Sequence, residues 1–377
     1  MRPDSASPAL LSAMTHITDR PASVVVVGYG LAGRVFHAPL VDTTPGLLLD
    51  AIVTSDPERQ GAAADAYPNA VIYDNPEQAW ASGHDLAVVA TPNITHVPFA
   101  RAALENHLNV VLDKPIAPTA EAAQELATMA SDRGLLLVPF QNRRWDSDFL
   151  TAMAIAADDS IGRVHRYESR IERMRIVPKP GWRGSTDPAE MGGMLYDLGA
   201  HIVDQALRLM GPVETVYATA RTVRDGQGSD DDVTVILTHS GGGISQLVAS
   251  QIGAFAEPRI SVYGTRGGLR ITSSDSQEPA LAEGRLPIDD TWGLEPAGTE
   301  AALRIYSPDN ELTETALPLL RGDWPAFYRG VSAALRGEAA APVLVEDVVA
   351  DLRVIDAARE SARTGSAIRL NPPAGHR

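Results

Sequence analysis

Cysteine is absent from this chain of 377 residues, and basic residues are in deficit. Without cysteine, the protein has no disulfide bond, no thiolate nucleophile and no cysteine-based zinc site. The 32 lysines and arginines are outnumbered by 48 aspartates and glutamates, which gives a formal net charge of −16. Nucleic acid and anionic membrane surfaces attract clustered basic side chains, so we expect neither as a partner. Local basic clusters can still bind an anionic substrate.

Long apolar runs are also missing. No segment approaches the ~20 apolar residues that a transmembrane helix needs. Residues 1–20 contain prolines and aspartates where a signal peptide would have an apolar core, so we predict a disordered leader there. This composition is typical of a cytoplasmic protein.

The length of the chain and a change in its pattern predict two domains. Over residues 21–142, runs that are apolar on both faces alternate with helical segments, as in a parallel sheet covered by helices on both sides. We therefore predict an N-terminal Rossmann domain of the α/β class. Its predicted strands are residues 23–27, 47–54, 70–73, 86–91, 109–112 and 135–140.

Residues 143–377 have longer segments that often alternate polar with apolar residues. This alternation predicts a C-terminal α+β domain with a large, mostly antiparallel open sheet. Its predicted strands cover residues 164–176, 214–223, 233–238, 244–254 and 259–271, with turns at 239–243 and 264–268. We expect helices at 193–210, 324–336 and 345–364, and loops over 273–300.

The clearest motif is a glycine-rich turn after the first predicted strand. Gly28 allows a tight turn, Gly30 lets the backbone approach a pyrophosphate, and Gly33 lets the next helix pack on the strand. The helix N-terminus then offers amide donors to the phosphates. A purely structural turn is the alternative, but the strand–turn–helix context favours dinucleotide binding. The motif reads Gly28-Tyr29-Gly30-Leu31-Ala32-Gly33.

The end of the second predicted strand carries Thr54, Ser55 and Asp56, with Arg59 one turn later. NAD-binding domains usually place an acidic residue here, where it binds the ribose 2′-hydroxyl. A neutral Ser55 with Arg59 nearby would tolerate a 2′-phosphate. Asp56 would repel that phosphate, unless it merely begins a helix. On balance we favour NADP over NAD.

Two further segments follow the ends of predicted strands, where ligands bind in such sheets. The segment Thr91-Pro92-Asn93 and the nearby His96 could contact the cofactor's ribose or phosphates, although Asn93 could instead cap a helix. Lys114 follows Asp113 and precedes a proline, so it is held at the cleft and could hydrogen-bond a substrate oxygen. An ordinary surface lysine is the alternative.

Asp197 and His201 are four residues apart on a predicted helix, which places both side chains on one face. A carboxylate that orients a histidine is typical of acid–base chemistry, because histidine exchanges a proton near neutral pH. Asp204 continues the same face, so a solvated acidic stripe is the alternative. A zinc site is less favoured, because the pair lacks an obvious third ligand.

A basic and aromatic set lies after the predicted domain junction and could line a pocket for a polyhydroxylated ring. An ion-paired strand face is an equal alternative for Arg173 and Arg175. The set consists of Arg143, Arg144, Trp145, Arg173, Arg175, Trp182 and Arg183.

From residue 24 to residue 370, the chain resembles the glucose-fructose oxidoreductase / inositol dehydrogenase (Gfo/Idh/MocA) family. The family-wide marks are the glycine turn, Thr91-Pro92-Asn93-x-x-His96, Asp113-Lys114-Pro115, and Gly192-Gly193 followed by Asp197-x-x-x-His201. Within the family, it is most similar to the NADP-dependent scyllo-inositol 2-dehydrogenases. The marks of that group are residues 33–40 and 141–150, Trp182-Arg183 and Leu195-Tyr196-Asp197-Leu198.

The resemblance implies a dehydrogenase that transfers hydride between NAD(P) and a secondary alcohol or ketone of a cyclitol or sugar. The substrate that it implies is similar to scyllo-inositol. It implies that His201 takes the hydroxyl proton, Lys114 holds that oxygen, and Asp197 orients the sugar and the base. No metal is expected, because the Asp197 and His201 pair lacks an obvious third ligand. The resemblance implies a homodimer or homotetramer.

The resemblance also implies which residues bind the two ligands. Cofactor-binding residues would be Gly28, Tyr29, Gly30, Leu31, Ala32, Gly33, Thr54, Ser55, Arg59, Thr91, Pro92, Asn93, His96, Asp113, Lys114, Asn142 and Arg143. Substrate-binding residues would be Trp145, Trp182, Arg183, Tyr196, Asp197 and His201.

Asp113 departs from the family's usual glutamate, and its shorter side chain would loosen a contact to the nicotinamide ribose. Two other functions fit the same fold. One is a redox-neutral hydrolase or lyase that oxidises its sugar transiently, and the other is a non-catalytic sensor that binds cofactor. The joint presence of Lys114, Asp197 and His201 favours an enzyme.

Overall fold

The computed structural model describes residues 17, 20–178, 181–226, 228–255 and 257–370. The predicted leader, residues 1–20, therefore lies outside the described residues except for Ile17 and Arg20. The backbone N–H of Ile17 donates to the carbonyl oxygen of Leu335, and Arg20 pairs with Asp85. Within the described ranges, no helix combines the length and the apolar character needed to cross a membrane.

The first sheet has six parallel strands, and its order of β3-β2-β1-β4-β5-β6 is that of a Rossmann domain. The run of four valines over residues 24–27 is almost fully buried, because helices cover both faces of the sheet. The predicted parallel sheet is confirmed. The strands are β1 Ala22–Val27, β2 Leu47–Val53, β3 Val71–Tyr73, β4 Leu86–Val89, β5 Asn109–Leu112 and β6 Leu137–Pro139.

Five helices connect these strands. The first, α1, is a π-helical turn at Ala32–His37 that continues as the α-helix Ala38–Asp42. The others are α2 Pro57–Ala66, α3 Pro76–Trp80, α4 His96–Glu105 and α5 Ala120–Asp132. The Asp56 carboxylate caps α2 by accepting the backbone N–H groups of Glu58 and Arg59.

The second sheet has nine strands in the order β14-β13-β12-β11-β7-β10-β9-β8-β15. Every neighbouring pair is antiparallel except β7 and β10, which run parallel. The mostly antiparallel sheet is therefore confirmed. The strands are β7 Val164–Glu172, β8 Val213–Arg221, β9 Asp232–His239, β10 Ile244–Ser250, β11 Ile260–Gly264, β12 Gly267–Ile271, β13 Glu300–Tyr306, β14 Leu312–Pro318 and β15 Ile368–Arg369.

Helices accompany the second sheet, and α8 packs on β7 and β10 through its buried face. They are α6 Ser147–Ala157, α7 Met194–Asp197, α8 Gly199–Met210, α9 Gln277–Ala282, α10 Pro325–Leu335 and α11 Val345–Thr364. The last two contact helices that connect the strands of the first sheet. The Tyr328 hydroxyl lies 2.7 Å from His37 Nδ1, and the Ala120 backbone N–H donates to Asp356 at 2.9 Å.

Several predicted elements need correction. The helix expected at 193–210 is interrupted at Leu198, and the loops expected over 273–300 include helix α9. Strands expected at 164–176 and 244–254 stop early, and only an isolated bridge between Met174 and Ile252 continues them. The turns at 239–243 and 264–268 are confirmed as connections between antiparallel strands. A domain boundary near residue 142 stays a prediction.

Candidate functional site

A cleft of about 630 Å³ lies where the carboxyl ends of β1, β2, β4, β5 and β6 face the second sheet and its loops. The glycine turn lines one end of it. Lys114, Asp197 and His201 line the other end, so the structure brings the predicted dinucleotide motif and the predicted acid–base residues into one space.

The glycine turn is shaped as a cradle. Gly28 has a φ of +100°, and a Cβ there would lie 2.6 Å from the carbonyl oxygen of Ala90. A Cβ on Gly33 would lie only 1.8 Å from the carbonyl oxygen of Gly28. By contrast, a Cβ on Gly30 would meet only the Arg59 guanidinium, at 3.9 Å, and would project into open space. That open position suits a pyrophosphate beside the start of α1.

The adenosine end of the cleft, named for the part of a dinucleotide that we expect there, is lined by Thr54, Ser55 and Arg59. Asp56 is turned away, because its carboxylate caps α2, and its other oxygen lies 3.6 Å from Arg59 Nε. The Asp56 carboxylate, which would repel a 2′-phosphate, is therefore hydrogen-bonded to its own helix. Tyr29, Leu31 and Ala32 of the glycine turn also line the cleft.

Thr91, Pro92 and Asn93 line the middle of the cleft. The Asn93 side-chain amide donates to the carbonyl oxygens of Glu190 and Met191, so it ties this loop to the segment before α7. His96 is only 1% exposed and lies behind the cleft wall. Its ring nitrogens face the carbonyl oxygens of Pro115 and Thr91, at 2.8 and 3.0 Å, so its position favours bracing two loops over touching a cofactor.

Lys114 joins the two halves of the cleft. Its Nζ donates to the carbonyl oxygen of Asp197 at 2.6 Å and to the carboxylate Oδ1 at 2.8 Å. Arg183 approaches the other carboxylate oxygen, at 3.7 Å. Burial alone would raise the pKa of Asp197, but the Lys114 ammonium and the Arg183 guanidinium hold that pKa below its usual value. Asp197 is therefore a carboxylate at neutral pH.

His201 is 4% exposed and lines the cleft from the first turn of α8. Its Nδ1 lies 3.2 Å from Oε1 of Gln141. The described residues show no hydrogen bond between His201 and Asp197, because Asp197 ends α7 and faces Lys114. Burial lowers the pKa of His201 well below its usual value, and Lys114, Arg143 and Arg259 lower it further. The ring is therefore neutral near pH 7.

Asp113 and Asn142 line the cleft beside Lys114. The Asp113 carboxylate accepts the backbone N–H of Lys114 at 2.8 Å, and its other oxygen lies 3.7 Å from His37 Nε2. Burial works to raise the pKa of Asp113, but His37 and other neighbouring groups hold it below its usual value. The shorter side chain is thus fixed by local contacts.

Arg143 lines the cleft and pairs with two carboxylates, those of Asp146 and Glu278. Glu278 lies in α9, a segment whose Ser, Pro and Glu content predicted loops, so the sequence analysis missed it. Other lining residues that it missed are Phe36, Asp74, Pro76, Phe99, Phe140, Gln251 and Trp324. Gln141, which contacts His201, belongs to a motif that the sequence analysis quoted without giving the residue a role.

The residues predicted to bind substrate divide into two groups. Trp182 and Arg183 line the cleft, as do Arg173 and Arg175 from the segment after β7. Trp145 is half-buried and packs edge-on against Phe327 of the core, with ring centroids 6.0 Å apart, and it is not among the residues that line the cleft.

Tyr196 is also placed away from the cleft. Its side chain is 4% exposed, and its hydroxyl donates to the carbonyl oxygen of Pro118 at 2.7 Å. Burial raises its pKa to about 12. Structural contacts thus occupy Trp145 and Tyr196. Among the described residues, no group of three or more His, Asp or Glu side chains could hold a metal ion.

Two family profiles match the chain. The profile of the oxidoreductase family with an NAD-binding Rossmann fold covers residues 22–140, and that of the GFO/IDH/MocA C-terminal domain covers residues 149–270. The uncharacterized oxidoreductase YdgJ of Escherichia coli is 35% identical over 90% of this chain and 96% of its own length. The chain belongs to the Gfo/Idh/MocA family of oxidoreductases.

Two other relatives cover more than nine-tenths of the chain. The scyllo-inositol 2-dehydrogenase (NADP(+)) IolW of Bacillus subtilis is 32% identical over 92% of this chain and 95% of its own. The solved structure of yvaA from Bacillus subtilis has a TM-score of 0.88 and 30% identity, and covers 94% of this chain and 100% of its own. The predicted family resemblance is confirmed, and the chain is an oxidoreductase with an NAD(P)-binding Rossmann domain.

Proposed function

We propose that this protein is an NADP-dependent dehydrogenase that oxidises a secondary alcohol of a cyclitol or sugar, with scyllo-inositol as the first compound to test. The observation that carries the proposal is the Lys114–Asp197 pair beside a neutral His201 in the same cleft as the glycine cradle. When bound, the cofactor supplies the hydride acceptor. The cradle at Gly28, Gly30 and Gly33 fits its pyrophosphate.

Each residue of the proposed set has one task. Lys114 is a fixed positive charge that would hold the reacting oxygen and stabilise negative charge as its proton leaves. His201 would accept that proton, because its pKa leaves it neutral at pH 7. Asp197 holds the Lys114 ammonium in place and offers its carboxylate to a neighbouring hydroxyl. Trp182 and Arg183 would line the sugar subsite.

The preference for NADP rests on the adenosine end of the cleft. A neutral Ser55 and the Arg59 guanidinium face the cleft, while Asp56 caps α2. Arginine pairs well with a phosphate, whereas a ribose 2′-hydroxyl would gain less from it. The similarity to the NADP-dependent IolW protein agrees with this preference.

The substrate class rests on the polar lining of the catalytic end and on the named relative. A polyhydroxylated ring can use the many donors and acceptors there, and the charged residues are already paired with one another.

We also propose a cytoplasmic homodimer or homotetramer. Exposed apolar side chains on the second sheet, at Tyr217, Ile244 and Tyr306, support such pairing. Light scattering during size-exclusion chromatography tests it, and a monomer would contradict it.

The test of function is nicotinamide absorbance, recorded with purified protein and scyllo-inositol, myo-inositol or a panel of aldoses. Each substrate is run separately with NADP and with NAD. We expect reduction of NADP, at a higher kcat/KM than that of NAD. Tight cofactor binding without any net reduction would contradict the proposal and favour a redox-neutral enzyme or a sensor.

A further inference from the structure

We infer that Gln141 is the positioning residue for the proposed base: its side-chain amide holds His201 in the tautomer whose Nε2 faces the substrate. The inference rests on the proposed function for its catalytic meaning. The tautomer itself is a property of the protein alone and can be measured without any substrate.

The Gln141 side chain is buried, at 2% exposure, and lies just after β6. Its two polar atoms contact neighbouring residues of α8. Nε2 of Gln141 lies 3.3 Å from the carbonyl oxygen of Ala200, and Oε1 lies 3.2 Å from Nδ1 of His201. One amide therefore grips both the backbone and the ring of the proposed base.

Hydrogen-bond chemistry decides which atom goes where. The Ala200 carbonyl oxygen can only accept, so the NH₂ group of Gln141 must face it. The amide oxygen then faces the imidazole, and since that oxygen can only accept, Nδ1 of His201 must carry the proton. A neutral imidazole has a single N–H, so Nε2 is left with its lone pair.

That lone pair reaches the cleft. Among the described residues, Nε2 of His201 has no hydrogen-bond partner, and this atom is not fully buried. The ring lines the cleft wall together with Lys114 and Asp197. Nε2 is therefore free to accept a proton from a hydroxyl that Lys114 holds.

A neutral amide has a further consequence here. The charged groups that act on His201 are Lys114 from the end of β5, Arg143 from the turn after β6, and Arg259 before β11. All three are cations and oppose protonation of the ring. Gln141 orients the base without adding an anion, whereas a carboxylate at this position would favour the imidazolium. Gln141 thus orients the His201 ring and also leaves it neutral.

The direct test is ¹⁵N NMR of the histidine rings in the cofactor-free protein, with His201→Asn used to assign the signals. We expect wild type to show a protonated Nδ1 and an unprotonated Nε2. Gln141→Met removes the acceptor and should lose this signature. Gln141→Glu can still accept from Nδ1 and should keep the signature at a pH above the His201 pKa, but it should form the imidazolium at a higher pH than wild type does. A protonated Nε2 in wild type, or an unchanged signature in Gln141→Met, overturns the inference.

A second buried amide separates positioning from general damage. Gln205 lies on the same helix, donates to the Arg143 carbonyl oxygen at 3.0 Å and accepts from Arg259 at 3.0 Å. Gln205→Met should therefore disturb the helix while the His201 signature remains. A loss of the signature in Gln205→Met as well would show that helix packing, rather than Gln141, sets the tautomer.

Kinetics then connect the tautomer to turnover. Gln141→Met should lower kcat about 10- to 100-fold with little change in the KM for cofactor, since general bases contribute roughly 10²–10⁴-fold. Gln141→Glu should recover part of that loss and shift the acidic limb of the pH profile upward. If wild type reduces no cofactor but shows the predicted tautomer, the proposed function fails while the assignment of Gln141 stands.

Discussion

Lys114 donates two hydrogen bonds to Asp197, one to its carbonyl oxygen at 2.6 Å and one to its carboxylate at 2.8 Å. In a continuous helix, that carbonyl would accept the backbone N–H of His201, four residues later. Here the His201 N–H donates to Leu198 instead, and the helix breaks between α7 and α8. The break turns the Asp197 carboxylate toward Lys114, and the His201 ring contacts Gln141 instead.

Replacing either partner of this pair should abolish most of the activity. We expect Lys114→Met to lower kcat/KM at least about 100-fold, because a removed donor to a developing oxyanion costs about 10²–10³-fold. Asp197→Asn removes the carboxylate that accepts from Lys114 Nζ and holds it in place, so we expect a comparable loss. Steady-state rates with NADP and the best polyol measure this. Arg101→Met, which removes an exposed ion pair with Glu125, is the control. Near-normal turnover in Lys114→Met would contradict the assigned role.

Two glycines of the cradle should respond differently to alanine. A methyl on Gly33 would collide with the Gly28 carbonyl, so Gly33→Ala should destabilise the fold and lower the melting temperature. A methyl on Gly30 would meet nothing closer than Arg59, so Gly30→Ala should fold normally and bind cofactor more weakly. Thermal unfolding and cofactor titration distinguish the two. Equal losses of stability would contradict this account of the turn.

Arg59 should select the cofactor. Arg59→Ala should raise the Kd for NADP about tenfold, equivalent to about 1.4 kcal/mol, and leave the Kd for NAD nearly unchanged. Asp56→Asn is the matched variant, because asparagine keeps the cap on α2 while removing the charge. We expect it to change stability little and to leave the NADP preference in place. A reversed preference in Asp56→Asn would show that Asp56 takes part in selection.

The pH profile should report His201. Burial, then Lys114, Arg143 and Arg259, lower its pKa, so alcohol oxidation should stay level from pH 8 down to the ordinary histidine pKa of about 6.5 and fall only below it. Lys114→Met removes one cation and should move this limb upward in whatever activity remains. A limb in wild type above pH 7 would contradict the environment described for His201.

The same group links pH to stability. The folded-state pKa of His201 lies below the unfolded value, so the unfolded chain binds the proton first as pH falls. The contribution of His201 to the free energy of unfolding is therefore complete above about pH 6.5 and declines below it. Denaturant unfolding at several pH values measures this decline, and His201→Asn should reduce it.

The first sheet could be predicted closely because most of its strands are buried on both faces and stand out as apolar runs. Strand β14 could not, because it is exposed along nearly its whole length and carries two threonines and a glutamate. Helix α9 was not predicted either, because its segment contains Ser, Glu and Pro, which are typical of loops.

At the site, motif spacing predicted which residues gather but not how they pair. Asp197 and His201 were expected to interact on one helix face, and the break at Leu198 separates them. The partners that matter, Lys114 and Gln141, come from the ends of other strands and are distant in sequence. Trp145 and Tyr196 show the same limit, because their contacts with Phe327 and with the carbonyl oxygen of Pro118 depend on elements that the local pattern does not report.

The proposal that this protein transfers hydride from a polyol or sugar to NADP is tested most directly by following a carbon-bound deuterium. Scyllo-inositol, or the best polyol of the panel, is deuterated at its ring carbons and incubated with the protein and NADP, and the reduced cofactor is analysed by mass spectrometry. We expect NADPH to accumulate and to carry the deuterium. Tight NADP binding with no labelled NADPH from any polyol or sugar would contradict it.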